Sequence, residues 1–278
     1  MSPYEDARQV PLTLTTDLNL GGRWVSLISN GSGGLRREWL WKNPDTATAA
    51  ARRRVGPQSA FVDAGGGEEC YPSVRAPYDH GLIWNRSWER LSDGEVAEAE
   101  GYRLHRHIAH SPDGLTVEYA ASADTFRPAI HATHLLLDLS PDTTLHPASP
   151  TNPTFIDQRP RAEIEELGGE QAFVRALGSG AVGAVCYVLP GCRTVRVVDG
   201  ADVLELSLNG PSELPLGFIV WRNLGAWPEG DPYRSIGIEP SLGYDVSFPS
   251  EHDGGSVTVG PEPARWTLNI RALERPTC

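Results

Sequence analysis

Residues 233–245 read YRSIGIEPSLGYD, and the rest of the chain is read outward from them. Ile236 and Ile238 alternate with small or polar neighbours, the period-2 pattern of a β-strand. Pro240 follows Glu239. Proline has no N–H to give to a sheet and restricts the residue before it, so the strand is predicted to stop at Glu239. A carboxylate is then mounted between an apolar strand and a rigid turn. A general base needs such a mount, because geometry comes before pKa in proton transfer. The same local pattern also describes a solvated glutamate at a strand end.

Working outward, the alternation repeats. Val10 to Thr15 reads as an edge strand, because Pro11 lies inside it. Trp24 to Ile28 is a second strand after the Gly21-Gly22-Arg23 turn, and EWLW at 38–41 is a short third. Residues 43–60 show no clear period and are expected to be a loop or a short helix. Further strands are expected at 103–108, 115–121, 129–139, 172–176, 182–189, 194–198, 203–208, 217–221, 246–248, 256–259 and 266–273. Turn signals separate almost all of them. No amphipathic helix exceeds about ten residues, and no internal repeat is present. The expectation is an all-β chain, a large antiparallel β-sandwich forming one domain over residues 1–278. The Pro-, Thr- and Asp-rich segment 141–160 has strands of the same kind on both sides, so it is not read as a domain linker.

Composition narrows the partners. The 278 residues include 29 Gly and 23 Pro, which favours turns and short strands. The net charge of −12 repels phosphate backbones and anionic membranes, so neither nucleic acid nor a membrane is an expected partner. Lys42 is the only lysine, which argues against Schiff-base chemistry. Cys70, Cys186, Cys192 and Cys278 form no CxxC pair. The start of the chain lacks a basic segment followed by an apolar one, and no apolar run approaches membrane-spanning length. The expected location is cytoplasmic, as a monomer or homodimer.

Chemistry-bearing residues fall in a few places. Residues 61–90, FVDAGGGEECYPSVRAPYDHGLIWNRSWER, are irregular yet aromatic, so Tyr78, Trp84 and Trp88 must be buried or used. His80 lies in this loop, and Arg75 and Asp79 lie near it. His134 opens the apolar run Leu135-Leu136-Leu137, where partial burial tunes an imidazole for proton transfer. In HRHIAH, His105 and His107 share a strand face, but no carboxylate stands at ligand spacing, so a solvated face is favoured over a metal. Neither GxSxG nor a GK[ST]-ended glycine loop is present. Acid–base chemistry on a neutral, ring-shaped polar ligand fits best, with Trp rings such as Trp84 and Trp221 to stack on it.

In this light the chain resembles the aldose 1-epimerase, or galactose mutarotase-like, superfamily. Four segments carry the likeness in the family's order: GGRWVSL at 21–27; ECYP at 69–72 through DHG at 79–81 and NRSWE at 85–89; THLLLDL at 133–139; and GIEP at 237–240. The family's Tyr-Phe after the histidine is Leu-Leu here. The resemblance implies a β-supersandwich that needs no metal or organic cofactor. It implies Glu239 as base, His134 as imidazolium acid, and His80 bonding a small-molecule sugar. Arg75 is a candidate substrate-binding arginine by proximity to His80, and Asp79, Trp84 and Trp221 are further expected binding residues. Three other readings share these residues: a non-catalytic sugar-binding protein; an epimerase of phosphorylated sugars drawing on Arg52–Arg54, Arg75 and Arg86; and a hydrolase pairing Glu68 or Glu69 with Glu239. Under the mutarotase reading, anomer interconversion followed by polarimetry should survive dialysis against a chelator. Loss of rate restored by one divalent ion would overturn this.

Overall fold

The computed structural model describes residues 7–31, 34–43, 47–55, 64–156, 158–246 and 255–276. In chain order the strands are β1 (Arg8–Val10), β2 (Leu12–Asp17), β3 (Arg23–Asn30), β4 (Arg36–Glu38), β5 (Gly67–Cys70), β6 (Glu89–Leu91), β7 (Gly94–Ala99), β8 (Tyr102–Ser111), β9 (Gly114–Ala123), β10 (Arg127–Ala129), β11 (His131–Leu137), β12 (Thr144–Pro147), β13 (Thr154–Phe155), β14 (Ala184–Pro190), β15 (Thr194–Asp199), β16 (Asp202–Asn209), β17 (Leu216–Trp227), β18 (Tyr233–Leu242), β19 (Val257–Val259) and β20 (Ala264–Glu274). Three short helices interrupt them: α1 (Ala49–Arg52), α2 (Arg161–Glu166) and α3 (Glu170–Arg175).

The strands build two antiparallel nine-stranded sheets. The first runs β12-β15-β16-β20-β9-β8-β7-β6, with β1 added beside β20. The second runs β13-β14-β17-β18-β11-β5-β3-β2, with β4 beside β3. One apolar core joins them: Leu104, Val117, Leu204 and Leu268 from the first sheet meet Trp24, Leu135, Val220 and Ile238 from the second. This is the large antiparallel β-sandwich expected from the alternation. Pro11 has a use that hydropathy did not reveal. It divides β1 from β2, which pair in different sheets, and a residue without an N–H suits that handover.

Four expectations change. The strand at 233–245 does not stop at Glu239. β18 continues through Pro240 to Leu242, and Pro240 lies opposite Phe218 of β17. On the β11 side the ladder pairs Ala132 with Ser241 and Leu135 with Ile238, and it lapses between them. Proline has no N–H to give, so a central strand can hold it only where a rung is missing. In EWLW the strand ends at Glu38. Beyond it, Leu40 forms a lone bridge to Leu137. Residues 172–175 are helical within α3, and Ala176 caps its C-terminus. Phe173, Val174 and Leu177 are all buried, a helical spacing rather than an alternation. Val246 is outside any strand, and the rest of the strand expected at 246–248 lies outside the described residues.

Between the sheets sits a buried charge cluster centred on Glu69 of β5. Trp24, Arg106 and Tyr119 donate to its Oε1 at 3.1, 2.6 and 3.1 Å. His131 Nε2 and Thr133 reach its Oε2 at 2.8 and 3.3 Å. Burial alone would raise the carboxyl's pKa, but the His131 hydrogen bond and the Arg106 charge outweigh it and hold it at about 2. Arg106, on β8 of the opposite sheet, also binds Glu95, and its guanidinium lies 4.4 Å from the centre of the Trp88 ring. Glu69→Ala would leave Arg106 short of a buried partner and should cost about 3–5 kcal/mol in urea unfolding. A cost under about 1 kcal/mol would show the cluster to be dispensable. The folded pKa lies below the usual 4.5, so this stabilisation is present above pH 4.5 and fades as pH falls toward 2.

Candidate functional site

The outer face of the second sheet carries the site. Side chains alternate along a strand. On β11, Leu135 and Leu137 join the main core, while His134 and Leu136 line a cavity on the other face. On β18, Ile236 and Ile238 point to the core, while Tyr233, Ser235 and Glu239 line the same cavity. Its volume is about 320 Å³, at the small end of small-molecule sites. Arg75, Asp79, His80 and Trp221 complete the polar and aromatic walls.

The lapsed rungs of the ladder lie at this cavity. With Ala132 opposite Ser241 and Leu135 opposite Ile238, His134 falls opposite Glu239. Directly opposed residues on one face are near neighbours, and His134 Nε2 lies 3.5 Å from Glu239 Oε1. Both side chains are almost wholly buried. Among the described residues, Glu239 Oε2 has no hydrogen-bond partner. A buried polar atom left open in this way is unusual and suits a ligand hydroxyl.

His80 approaches from the loop between β5 and β6. Its ring stands edge-on to that of His134, with centroids 5.4 Å apart, and its Nδ1 lies 3.1 Å from Asp79 Oδ1. The backbone at His80 is left-handed, with φ of 60°, a conformation that non-glycine residues seldom adopt and that clusters at functional sites. Gly81 follows at φ of 82°. A Cβ there would stand 2.4 Å from the Tyr71 carbonyl oxygen, so the tight turn that aims His80 requires glycine.

Burial sets the protonation of the pair. Desolvation pushes the Glu239 carboxyl up to about 8. Desolvation, followed by the charge of His80, pushes His134 down to about 3. The empty site at neutral pH therefore holds a carboxylic acid facing a neutral imidazole. Its burial disfavours a resting imidazolium at His134. Proton passage from Glu239 to His134 converts the neutral pair into an ion pair without changing the net charge.

Other expected residues lie elsewhere. Trp84 is buried away from the cavity, with Arg52 over its ring and its carbonyl accepting from Arg52 at 3.0 Å. The stacking role expected of Trp84 does not fit that place; Trp227 and Tyr233 line the cavity beside Trp221 instead. Glu68 lies opposite His134 on β5, but both its oxygens are held by Arg52, at 3.0 and 2.9 Å. Glu69 points between the sheets. Neither lines the cavity, so neither forms the pair with Glu239 that the hydrolase reading expected. Arg75 is the one arginine in the cavity wall, whereas Arg53 and Arg86 line a separate surface groove. In HRHIAH, His105 lies 3.5 Å from Asp93, and no metal-holding group of His, Cys, Asp or Glu occurs among the described residues. No described helix is long and apolar enough to cross a membrane. Sequence reading missed Trp227, Tyr233 and Ser235. The outward parity of 233, 235 and 239 on one strand was a signal for the last two.

The chain matches no protein-family model, and no curated protein matches its sequence. Its fold, however, is that of galactose mutarotase-like and aldose 1-epimerase proteins. An Escherichia coli K12 protein named as a candidate aldose 1-epimerase superposes with a TM-score of 0.65 at 15% identity, over 96% of this chain and 98% of that one. A galactose mutarotase-like protein from Clostridium acetobutylicum gives 0.62 at 13%, over 96% and 94%. Another from Lactobacillus casei gives 0.62 at 14%, over 96% and 99%.

The protonation states have a thermodynamic signature. Glu239 keeps its proton in the fold up to about pH 8, while the unfolded chain has released it above about pH 4.5. Its contribution to stability is full below pH 4.5 and lost as pH rises toward 8. His134 has the opposite sense, losing stability as pH falls from about 6.5 toward 3. Between pH 6.5 and 8 only the Glu239 effect operates in this pair. The melting temperature of Glu239→Gln should therefore rise relative to the parent by a few degrees across that window. Parallel curves would show that Glu239 is ionised in the resting site.

Proposed function

We propose that the protein is an isomerase of the aldose 1-epimerase type, interconverting the α and β anomers of a sugar by acid–base ring opening. One observation carries the reading: His134 and Glu239 face each other at 3.5 Å on the floor of a cavity, with one carboxyl oxygen of Glu239 lacking a hydrogen-bond partner among the described residues.

The reaction needs a base for the anomeric hydroxyl and an acid for the ring oxygen. A hydroxyl hydrogen-bonded to Glu239 Oε2 stabilises the carboxylate form and shifts the shared proton to His134. Glu239 then takes the anomeric proton while His134 gives its proton to the ring oxygen. The bond from C1 to the ring oxygen breaks, and the free aldehyde forms. Rotation about C1–C2 presents the other face, and the ring closes with the two roles reversed. His80, fixed by Asp79, and Arg75 are placed to bond the remaining hydroxyls, and Trp221 offers a flat face to the C–H side of the ring. Each acid–base partner contributes about 10²–10⁴-fold.

The test is polarimetry and NMR on freshly dissolved hexoses, pentoses and hexose phosphates. Acceleration over buffer for at least one free aldose is expected. Binding without acceleration would make the protein a sugar-binding module instead, and a preference for phosphates would favour the phosphosugar reading. Glu239→Gln should lower the rate about 10²–10⁴-fold with little change in affinity. His134→Asn should do the same, and the double variant should lose far less than the product, because both act in one step. A stable, fully active Glu239→Gln protein would remove the centre of this reading.

A further inference from the structure

The cavity has an aromatic outlet. Trp221 and Trp227 of β17 meet edge to face, with centroids 6.1 Å apart. Trp227 meets Tyr233 of β18 in the same way at 6.2 Å. Tyr233 is backed by Trp41, stacked at 4.7 Å with planes 13° apart. The first three rings line the cavity, and Trp227 remains 42% exposed. Proteins seldom leave a tryptophan so open beside a cavity without a use, since its large apolar surface stays in water.

This exposure is built into the backbone. β17 and β18 pair regularly up to Leu224 opposite Arg234, and pairing resumes with Trp227 opposite Tyr233. Gly225 and Ala226 are therefore extra residues in β17, forming a bulge, and Gly225 takes the left-handed φ of 85° that the bulge needs. Asn223, fully buried, holds the bulge with its whole side-chain amide. Its Nδ2 donates to the carbonyls of Trp227 and Tyr233 at 2.7 and 2.8 Å. Its Oδ1 accepts from the N–H groups of Ala226 and Trp227 at 3.0 and 3.1 Å. A bulge so fully bonded re-aims one side chain, and here that side chain is Trp227.

We propose that Trp227 and Tyr233, continuing from Trp221, form a stacking rail for the second and third units of a neutral reducing oligosaccharide whose terminal ring lies between His134 and Glu239 against Trp221. The inference rests on the isomerase reading for the position of that terminal ring. Pyranose rings present flat C–H faces that stack on aromatic rings, and ring centres about 6 Å apart are comparable to the rise of one sugar unit. The rail continues directly from the cavity. Glu229 and Asp231, both exposed, stand on the turn between Trp227 and Tyr233. Their negative charge disfavours a phosphorylated or acidic chain.

The experiment compares glucose with maltose, maltotriose and cellobiose on the intact protein, by titration calorimetry and by polarimetry. In at least one series the disaccharide should bind, and be turned over by kcat/KM, about three- to tenfold better than glucose, the range expected of one added ring contact. Trp227→Ala should erase this chain-length gain, and Trp227→Phe should restore most of it. Asn223→Ala should weaken the gain by releasing the bulge. Thermal unfolding of the Trp227 variants should match the parent. Turnover of glucose with no chain-length gain, or a gain that persists in Trp227→Ala, would overturn the rail and leave the isomerase reading standing. A gain in binding without any turnover would support the rail and sink the isomerase reading. Absence of both binding and turnover for all four sugars would overturn the rail, while the wider aldose panel decides the isomerase reading.

Discussion

The pairing of Leu135 with Ile238 and of Ala132 with Ser241 is the constraint from which the site follows. With that register fixed, His134 must lie opposite Glu239, and both must point away from the main core. A slip of one residue would put them on opposite faces and drive either Leu135 or Ile238 outward. The core therefore enforces the register: Leu135, Leu137, Ile236 and Ile238 are all fully or almost fully buried on the inner face. Pro240 adds a local effect. It leaves the ladder incomplete beside the two polar residues, where the cavity opens. Precision at the site is thus a by-product of packing on the other side of the sheet.

One of these strands, β11, ties the site to the opposite sheet through Glu69. Thr133 and His131, flanking His134 on the inner parity, reach Glu69, and Glu69 holds Arg106 across the interface. A buried pair of this kind is weak evidence for net stability, because desolvation offsets most of its attraction. Its value here is positional. The carboxylate accepts from side chains on β3, β8, β9 and β11, so the two sheets cannot slide without breaking several charge-assisted bonds together. The floor beneath His134 is consequently rigid on the side away from the cavity.

Much of the fold was legible because alternation is a local property. Ile236 and Ile238, or Leu204 and Leu206, announce a half-buried strand wherever it pairs. The site was legible in part. Glu239, His134 and His80 stood out through their mounts and through a family resemblance, and the cavity gathers all three together with Arg75, Asp79 and Trp221. Trp84 did not follow, because hydropathy cannot tell a ring in a cavity wall from a ring under a guanidinium. HRHIAH illustrates the same limit. The histidines drew attention, yet the inward residue between them is Arg106, whose partner Glu69 lies 37 positions away. Nor did the pattern reveal that β18 passes through Pro240, since whether a proline ends a strand depends on what lies beside it. Trp227 was hidden for a similar reason: a two-residue bulge, held by Asn223, determines where it points.

The electrostatics of the floor favour a reaction that leaves protonation unchanged. Burial opposes charge on both partners, raising Glu239 and lowering His134 by the same physical cause. Two ionised groups would be costly there, and so would a lone carboxylate. A single proton that moves between them avoids a net charge at every stage. Anomer interconversion has this symmetry: the proton taken from the anomeric oxygen and the one given to the ring oxygen exchange places when the ring closes again. A hydrolysis at the same place would need a second carboxylate to hold charge through an intermediate or to activate water. The nearest carboxylates on the adjacent strand, Glu68 and Glu69, are committed to Arg52 and Arg106. The arginine partners that hold those two glutamates thus leave Glu239 as the carboxyl whose proton is free to move.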